Sequence, residues 1–345
     1  MGLADYKDQI ELRLTEFLEA EQSTAPSDEA GLFISRISSL IRRAGKRFRP
    51  SLLFRTYEAY GGKYPKTIID LGLALELFHQ ALLVHDDIID EDTIRYDGPN
   101  IVGYYNNDRK YTGTKIPISM GVLAGDLLLT LVNKVILNDN NLNPKQKSKI
   151  LSLFSQTTIG VIYGQQLDSL GTTLTTGVFN EKRLISTHSL KSALYTTQLP
   201  MRLAATILEI PKAEVVRIEA FGLAFGIYFQ LVDDYADYFS TDTVFENHPK
   251  FRDYPEGKIT YPYYVGLKLA SKSKAEFLKK HFGNKALSVD AKDKVLAILE
   301  NCGADEASKI FAEHYYSATL ANLKQLSLSK KQKSQFEALL DDIKI

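Results

Sequence analysis

Residues 67–92 read TIIDLGLALELFHQALLVHDDIIDED, and their apolar side chains leave almost no polar face until the acidic end. Ile68, Ile69, Leu71, Leu83, Val84, Ile88 and Ile89 recur at helical spacing with no Pro among them. A surface helix keeps one polar side, whereas a helix apolar nearly all round belongs in the middle of a bundle. Residues 213–239, AEVVRIEAFGLAFGIYFQLVDDYADYF, have the same character, with Val215, Ile218, Phe221, Phe225, Phe229 and Val232. The chain thus predicts two central helices. Helical spacing also runs through Ile10, Leu12, Leu14, Phe17 and Leu18, and through Phe33, Ile34, Ile37, Leu40 and Ile41. Three further stretches, 119–137, 145–170 and 182–208, are separated by Pro117, Pro144, the loop GTTLTTGVFN and Pro211. With no repeat and no composition shift to mark a linker, the expectation is all-α: a single-domain bundle of about ten helices over residues 1–345.

The 345 residues are 44% hydrophobic and 24% charged, which is globular rather than disordered. Lys plus Arg and Asp plus Glu are 42 each, so no global field favours nucleic acid or an anionic membrane, and charge-driven chemistry has to be local. The single cysteine, Cys302, argues against a disulfide scaffold and a cysteine-built metal site. The start, MGLADYKDQIELRL, lacks a signal pattern, and charges interrupt the apolar stretches. A cytoplasmic protein with no membrane span and no nucleic-acid partner is expected.

Each central helix ends in the same acidic pentad, Asp86-Asp87-Ile88-Ile89-Asp90 and Asp233-Asp234-Tyr235-Ala236-Asp237. With 23 Asp in the chain, chance supplies about 0.1 occurrence of such a string. The outer aspartates are four residues apart, which places them on one helical face where they can share a cation. A generic acidic cluster is a solvated helix end. These two lie at helix C-termini, where the dipole disfavours anions by about 0.3–1 kcal/mol, so they call for a compensating cation. Carboxylate oxygens suit Mg²⁺, which keeps coordination positions for water and substrate phosphate.

Cationic and polar groups accompany the pentads. Gly45-Lys46-Arg47-Phe48-Arg49-Pro50 is a basic turn able to grip a diphosphate, Arg with paired donors and Lys with a point charge. His79 lies two turns before Asp86 on the same helix face. Arg95 follows the first pentad, Lys191-Ser192 stands in a helix with few charges, Gln230 precedes the second pentad, and Lys258 lies in EGKITYP after it. Together with two carboxylate sets they describe a cavity able to neutralise two diphosphates.

This pattern resembles the trans-isoprenyl diphosphate synthases, the polyprenyl synthetase family. It rests on Gly45–Pro50, His79 with HDDIID, Gly125-Asp126, Gly164-Gln165 with Asp168, Lys191-Ser192, FQLVDDYAD and Asp253 with GKITYP, over about residues 35–265. The resemblance implies an all-α bundle around a central cavity, an Mg²⁺-dependent transferase of isoprenoid biosynthesis, and a homodimer. Its substrates would be an allylic prenyl diphosphate and isopentenyl diphosphate. Asp86, Asp87, Asp90, Asp233, Asp234 and Asp237 then belong to the metal sets, with the outer four as Mg²⁺ ligands. Arg95, Lys191 and Lys258 would hold the allylic diphosphate, and Lys46, Arg49 and His79 the isopentenyl diphosphate. Ser192 and Gln230 would face the developing cation. Phe78, Phe225 and Phe229 are candidate apolar walls. Ala81, with Leu82 next to it, stands five residues before the first pentad, where short-chain enzymes often carry a bulky aromatic, which points to a product of C20 or longer with Phe78 as the stop.

The chain departs from the family at Arg95-Tyr96-Asp97-Gly98-Pro99, where Tyr96 replaces a second arginine that normally contacts isopentenyl diphosphate. One lost charge-assisted contact corresponds to about 1.5–3 kcal/mol unless Arg109 or Lys110 substitutes. Ala44 also replaces a glycine. A terpene cyclase of related fold would need no second substrate, and Lys46, Arg49 and His79 argue against it. A non-catalytic subunit of a heteromeric synthase would be expected to lose a pentad, and both are intact.

Overall fold

The computed structural model describes residues 3–43, 45, 47–63, 66–171, 180–239 and 251–343, the backbone alone at 3–5. These residues form sixteen α-helices, one π-helix and one two-stranded hairpin, an all-α chain with more and shorter helices than the ten or so expected. They make two compact units, Met1–Leu153 with Leu203–Glu209, and Phe154–Arg202 with Ile210–Ile345.

In the first unit α1 (Leu3–Ser23), α2 (Asp28–Arg43) and α3 (Phe48–Ala59) precede α4 (Lys66–Ile89). α4 is the expected central helix: α1, α3 and α6 (Ile116–Asn138) pack on it, and Leu71, Leu73, Leu75, Leu77 and Phe78 are all buried. It stops at Ile89 rather than at Asp92 because Glu91 turns left-handed, with φ 60°, and its N–H donates to the Ile88 carbonyl while that of Asp92 donates to the Asp87 carbonyl. That closure caps the last carbonyls and turns the chain away just after the pentad. There follow the hairpin β1 (Ile94–Arg95) and β2 (Gly98–Pro99), then α5 (Ile101–Asn106) and α6, which Pro117 opens.

α7 (Pro144–Gly171) begins in the first unit and ends in the second. The helix expected over 182–208 is three pieces, α8 (Glu181–Thr187), the π-helix His188–Gln198 and α9 (Leu199–Ile207). The second central helix is α10 (Lys212–Phe239), packed on the π-helix and on α15 (Ala304–Gln325). The remaining helices are α11 (Asp253–Glu256), α12 (Tyr261–Leu269), α13 (Lys272–His281), α14 (Val289–Asn301) and α16 (Lys330–Asp341).

By length and composition alone, α4, α6 and α10 are each apolar enough to cross a membrane. Within their most apolar windows, 78% of α4 and 56% of α10 is buried inside the chain, but only 44% of α6. Sequence apolarity therefore does not carry the expectation of no membrane span; for α4, packing within its own unit accounts for it.

Candidate active site

In the first unit the pentad's three aspartates differ. Asp87 is buried, and its Oδ1 accepts from Arg95 Nε at 2.6 Å, with Arg95 Nη2 at 2.5 Å. Burial works against the Arg95 charge, but Asp87 and Asp86 more than offset it and hold the guanidinium firmly protonated. Asp86 and Asp90 belong to the same turn, since the Asp90 N–H donates to the Asp86 carbonyl at 2.8 Å.

Arg95 sits on a short hairpin whose turn residues, Tyr96 and Asp97, both have positive φ, 52° and 57°. That is the geometry of a type I′ turn, which normally takes Asn-Gly. Its hold comes from below: Arg43 donates to the Arg95 carbonyl at 3.0 Å and to the Pro99 carbonyl at 2.6 Å. Gly98 leaves the room that the Arg43 guanidinium fills, since a Cβ there would lie 1.9 Å from Nη1 and displace it. Fully buried Asn100 fastens the other end, donating to the Asp92 carbonyl and accepting from the Gly103 N–H.

His79 stands among arginines. Burial first, then the charges of Arg49, Arg95 and Arg47, hold its imidazole well below the usual histidine range. Arg49 and Arg95 also act on Tyr96, whose hydroxyl is raised by burial and faces the fully buried Gln80 amide. Arg49, His79, Arg95 and the departing residue Tyr96 are thus neighbours. Arg47 is committed elsewhere, for it is left-handed at φ 47°, buried, and bonded to Glu11, Glu76 and the Ile41 carbonyl. Lys46, like Ala44, lies outside the described residues. Gly125-Asp126 also gains a meaning. A Cβ at 125 would lie 2.1 Å from His85 Nε2, so the glycine makes room for that ring, with Asp126 3.7 Å from it.

In the second unit all three aspartates of the pentad accept hydrogen bonds from protein groups. Asp234 is buried, 3.2 Å from His188 Nε2, and accepts from Gln230 Nε2 at 3.0 Å and from the Tyr261 N–H at 3.3 Å. Gln230 also donates to Asp233 at 3.2 Å and accepts from the Ser192 hydroxyl at 2.7 Å. Asp237 accepts from the N–H groups of Arg252 and Asp253, tying the start of α11 to the end of α10. Lys191 Nζ is 2.5 Å from Asp168 Oδ2, and Lys258 Nζ is 2.7 Å from Glu256 Oε2. Lys191 and Ser192 are presented by the π-helix, a form that recurs at functional sites. Gly164 and Gly226 permit it: a Cβ at 164 would lie 2.3 Å from the Lys191 nitrogen, and one at 226 would lie 2.5 Å from Ala193 Cα. Spacing alone did not single out His188, because its partner Asp234 is brought to it by the packing of α10 on the π-helix.

Among the described residues, no three His, Cys, Asp or Glu side chains close on one point as a preformed metal cage. An open set suits Mg²⁺, which binds one or two carboxylates and fills the rest with water and phosphate. Crowding supports the fit. Burial, then the charges of Asp234 and Asp237, push Asp233 up to about 7. Burial raises Asp237 to about 6, and burial with Asp237 raises Asp253 well above the carboxylate range. These hard anionic donors repel one another and would be relieved by a divalent cation. Of the candidate walls, Phe78 and Phe225 are fully buried core residues, while Phe229 is half-buried next to Gln230.

Long helices that end in twin acidic strings, with lysines clasped by carboxylates beside the second, define the isoprenoid synthase class. The chain belongs to the polyprenyl synthetase family, which matches residues 32–299, and is a prenyltransferase. It is 27% identical over 289 residues to a geranylgeranyl diphosphate synthase of Sulfolobus acidocaldarius, covering 84% of this chain and 82% of that one. With a farnesyl diphosphate synthase of Micrococcus luteus it shares 31% over 239 residues, 67% of this chain and 75% of the other. A crystal structure of geranylgeranyl pyrophosphate synthase from Corynebacterium glutamicum, complexed with isoprenyl diphosphate and magnesium, has the same fold, with TM-score 0.90 at 24% identity over 99% of each chain.

Proposed function

We propose that the protein is a cytoplasmic, Mg²⁺-dependent homodimer that joins an allylic prenyl diphosphate to isopentenyl diphosphate and makes a product of C20 or longer. The observation that carries this reading is the recurrence of one acidic pentad at the ends of α4 and α10: in each the outer aspartates stand four residues apart, the spacing a shared cation takes, and the middle one is buried against Arg95 or His188. Asp86 and Asp90 would hold Mg²⁺ in the first unit, and Asp233 and Asp237 in the second. The chemistry a bound Mg²⁺ supplies is stabilisation of charge on the leaving diphosphate.

Arg95 in the first unit and Lys191 and Lys258 in the second are the cations assigned to the allylic diphosphate, and each is steadied by a carboxylate of its own unit, so little reorganisation is needed as charge develops. Arg49 and His79, with Lys46, take the isopentenyl diphosphate. Ser192, whose hydroxyl donates to Gln230, would face the allylic cation together with it. Phe229 keeps water from that cation. The departing diphosphate is the base assigned to the final proton. Arg49 and His79 favour this over a cyclase.

The family match runs through both units, which supports one functional domain. The exposed apolar face of α6, with Ile118, Val122 and Leu123, supports the homodimer over a membrane span. Buried, small Ala81 above Phe78 supports a long product, and a relative from Rhodobacter capsulatus, 27% identical over 324 residues, is a nonaprenyl-diphosphate synthase.

The test is product analysis of the purified protein with Mg²⁺, isopentenyl diphosphate and allylic primers of several lengths. Products of C20 or more, abolished by chelator and by Asp86→Ala or Asp233→Ala, are expected. A C15 product alone overturns the chain length. Turnover of a prenyl diphosphate without isopentenyl diphosphate overturns the synthase reading in favour of the cyclase.

A further inference from the structure

Charge in this chain cancels overall but not locally. Between Lys268 and Lys285 six lysines stand against a single acid, Glu276, in a protein of zero formal net charge. α13 fixes how they are displayed. Its inner face is locked by buried Ala275 and Leu278 and by the Tyr254 hydroxyl, which donates to the Leu278 carbonyl at 2.6 Å. Lys272, Lys274, Lys279 and Lys280 are left in solvent. Glu276 is engaged by Lys279 at 3.1 Å, and Lys268 is turned onto the Tyr264 hydroxyl. Lys294 of α14 reaches over the Phe277 ring of α13, 4.3 Å from its centroid, and adds another positive charge to this helix. Exposed apolar side chains border the lysines in sequence: Leu269, 50% exposed, three residues before Lys272, and Val289, 73% exposed, at the start of α14.

Lys272, Lys279 and Lys280 share one side of α13, with Glu276 among them, and Lys274 lies on another. We propose that the exposed, lysine-rich surface of α13 docks the protein on an anionic lipid surface. Several lysines on one helix match the negative potential of such a surface, where each adds to the attraction within about a Debye length. Leu269 and Val289 favour a lipid interface over a nucleic acid, which offers no apolar layer to receive them. The chemistry of a prenyltransferase supplies the reason: its product couples a diphosphate to a hydrocarbon chain that water rejects, so release at a bilayer gives the product an immediate solvent. The proposal depends on the charge and exposure of α13 and not on the roles assigned to the pentads.

Vesicle co-sedimentation tests it, with phosphatidylcholine vesicles carrying about a third phosphatidylserine and with pure phosphatidylcholine. The wild type is expected to pellet with the anionic vesicles only, and less so as salt rises. The variant Lys272→Gln, Lys274→Gln, Lys279→Gln, Lys280→Gln should bind at least about tenfold more weakly. A control removing the same charge elsewhere, at Lys7, Lys63, Lys145 and Lys149, should bind as the wild type does. Circular dichroism and turnover of a short soluble primer report that both variants fold. Equal binding to neutral vesicles, no vesicle binding at all, retention of a nucleic acid in place of vesicles, or equal losses in the two variants would each overturn the proposal.

Discussion

Tyr96 is costly where it stands: a bulky residue in the left-handed region, at a turn position made for Asn, held there by Arg43 beneath the hairpin. Its ring lies in the field of Arg49 and Arg95, close to where the proposed isopentenyl subsite needs positive charge. Tyr96→Arg should tighten the isopentenyl substrate by up to about 1.5–3 kcal/mol, roughly ten- to a hundredfold in KM, with the allylic KM unchanged. The metal-free, substrate-free variant should lose stability, since a third arginine joins Arg49 and Arg95. Steady-state kinetics with each substrate varied in turn, and a melting curve, read both; tight isopentenyl binding in the wild type with no gain in the variant rejects this role for Tyr96. His79 gives a pH test of the same subsite. Its folded pKa lies below the usual 6.5, so below that pH the unfolded chain binds a proton that the folded chain refuses, and stability falls with acid. His79→Asn removes that loss. Between pH 7.5 and 5.5 denaturant titration should show the variant losing less stability than the wild type, by up to about 1.4 kcal/mol. Inorganic diphosphate should narrow the gap, because an anion beside Arg49 and Arg95 favours the charged imidazole.

Elements divide by how local their causes are. α4, α6, α7 and α10 were legible in the sequence to within about three residues at either end, because proline openings and all-round apolarity are properties of the segment itself. The π-helix was not. Its hydroxyl side chains bond back to the preceding turn, Ser189 to the Ile185 carbonyl at 2.6 Å and Thr197 to that of Ala193, and Thr197 also donates to the Gly222 carbonyl of α10. The shifted register also needs Gly164 and Gly226 on neighbouring helices, which no window of residues 182–208 contains. The same limit governed the site. Spacing identified the pentads and Lys191-Ser192, but it treated the three aspartates of each pentad alike, whereas their partners differ and several are distant in sequence: Arg95 or His188 at the buried middle one, and the Arg252 and Asp253 N–H groups at Asp237. Gly164→Ala tests the element: its Cβ would press on the Lys191 backbone, destabilising the fold by about 1–3 kcal/mol and displacing Lys191 from Asp168. A fall in kcat at a temperature where the variant is fully folded is the expected sign; unchanged stability and turnover would mean the close approach is dispensable.

At the scale of the whole molecule, apolar surface has to be covered by something, and α6 is the helix whose own chain does it least. It is the most apolar of the three long apolar helices, yet the least buried. Ile118, Val122 and Leu123 are 44%, 43% and 51% exposed within two turns. Asp126, Asn133 and Lys134 share the exposed side further along, which suits a protein partner with a polar rim better than hydrocarbon, where such groups cost several kcal/mol each. A chain without net charge also meets little long-range repulsion from its own copy. The protein should therefore sediment as a dimer in detergent-free buffer. Val122→Lys with Leu123→Lys should shift it to monomer at micromolar concentration, with helix content preserved because neither side chain is buried in the unit. A wild type that sediments as a monomer, or one that leaves membranes only with detergent, would reject the homodimer and reopen the span that the composition of α6 allows.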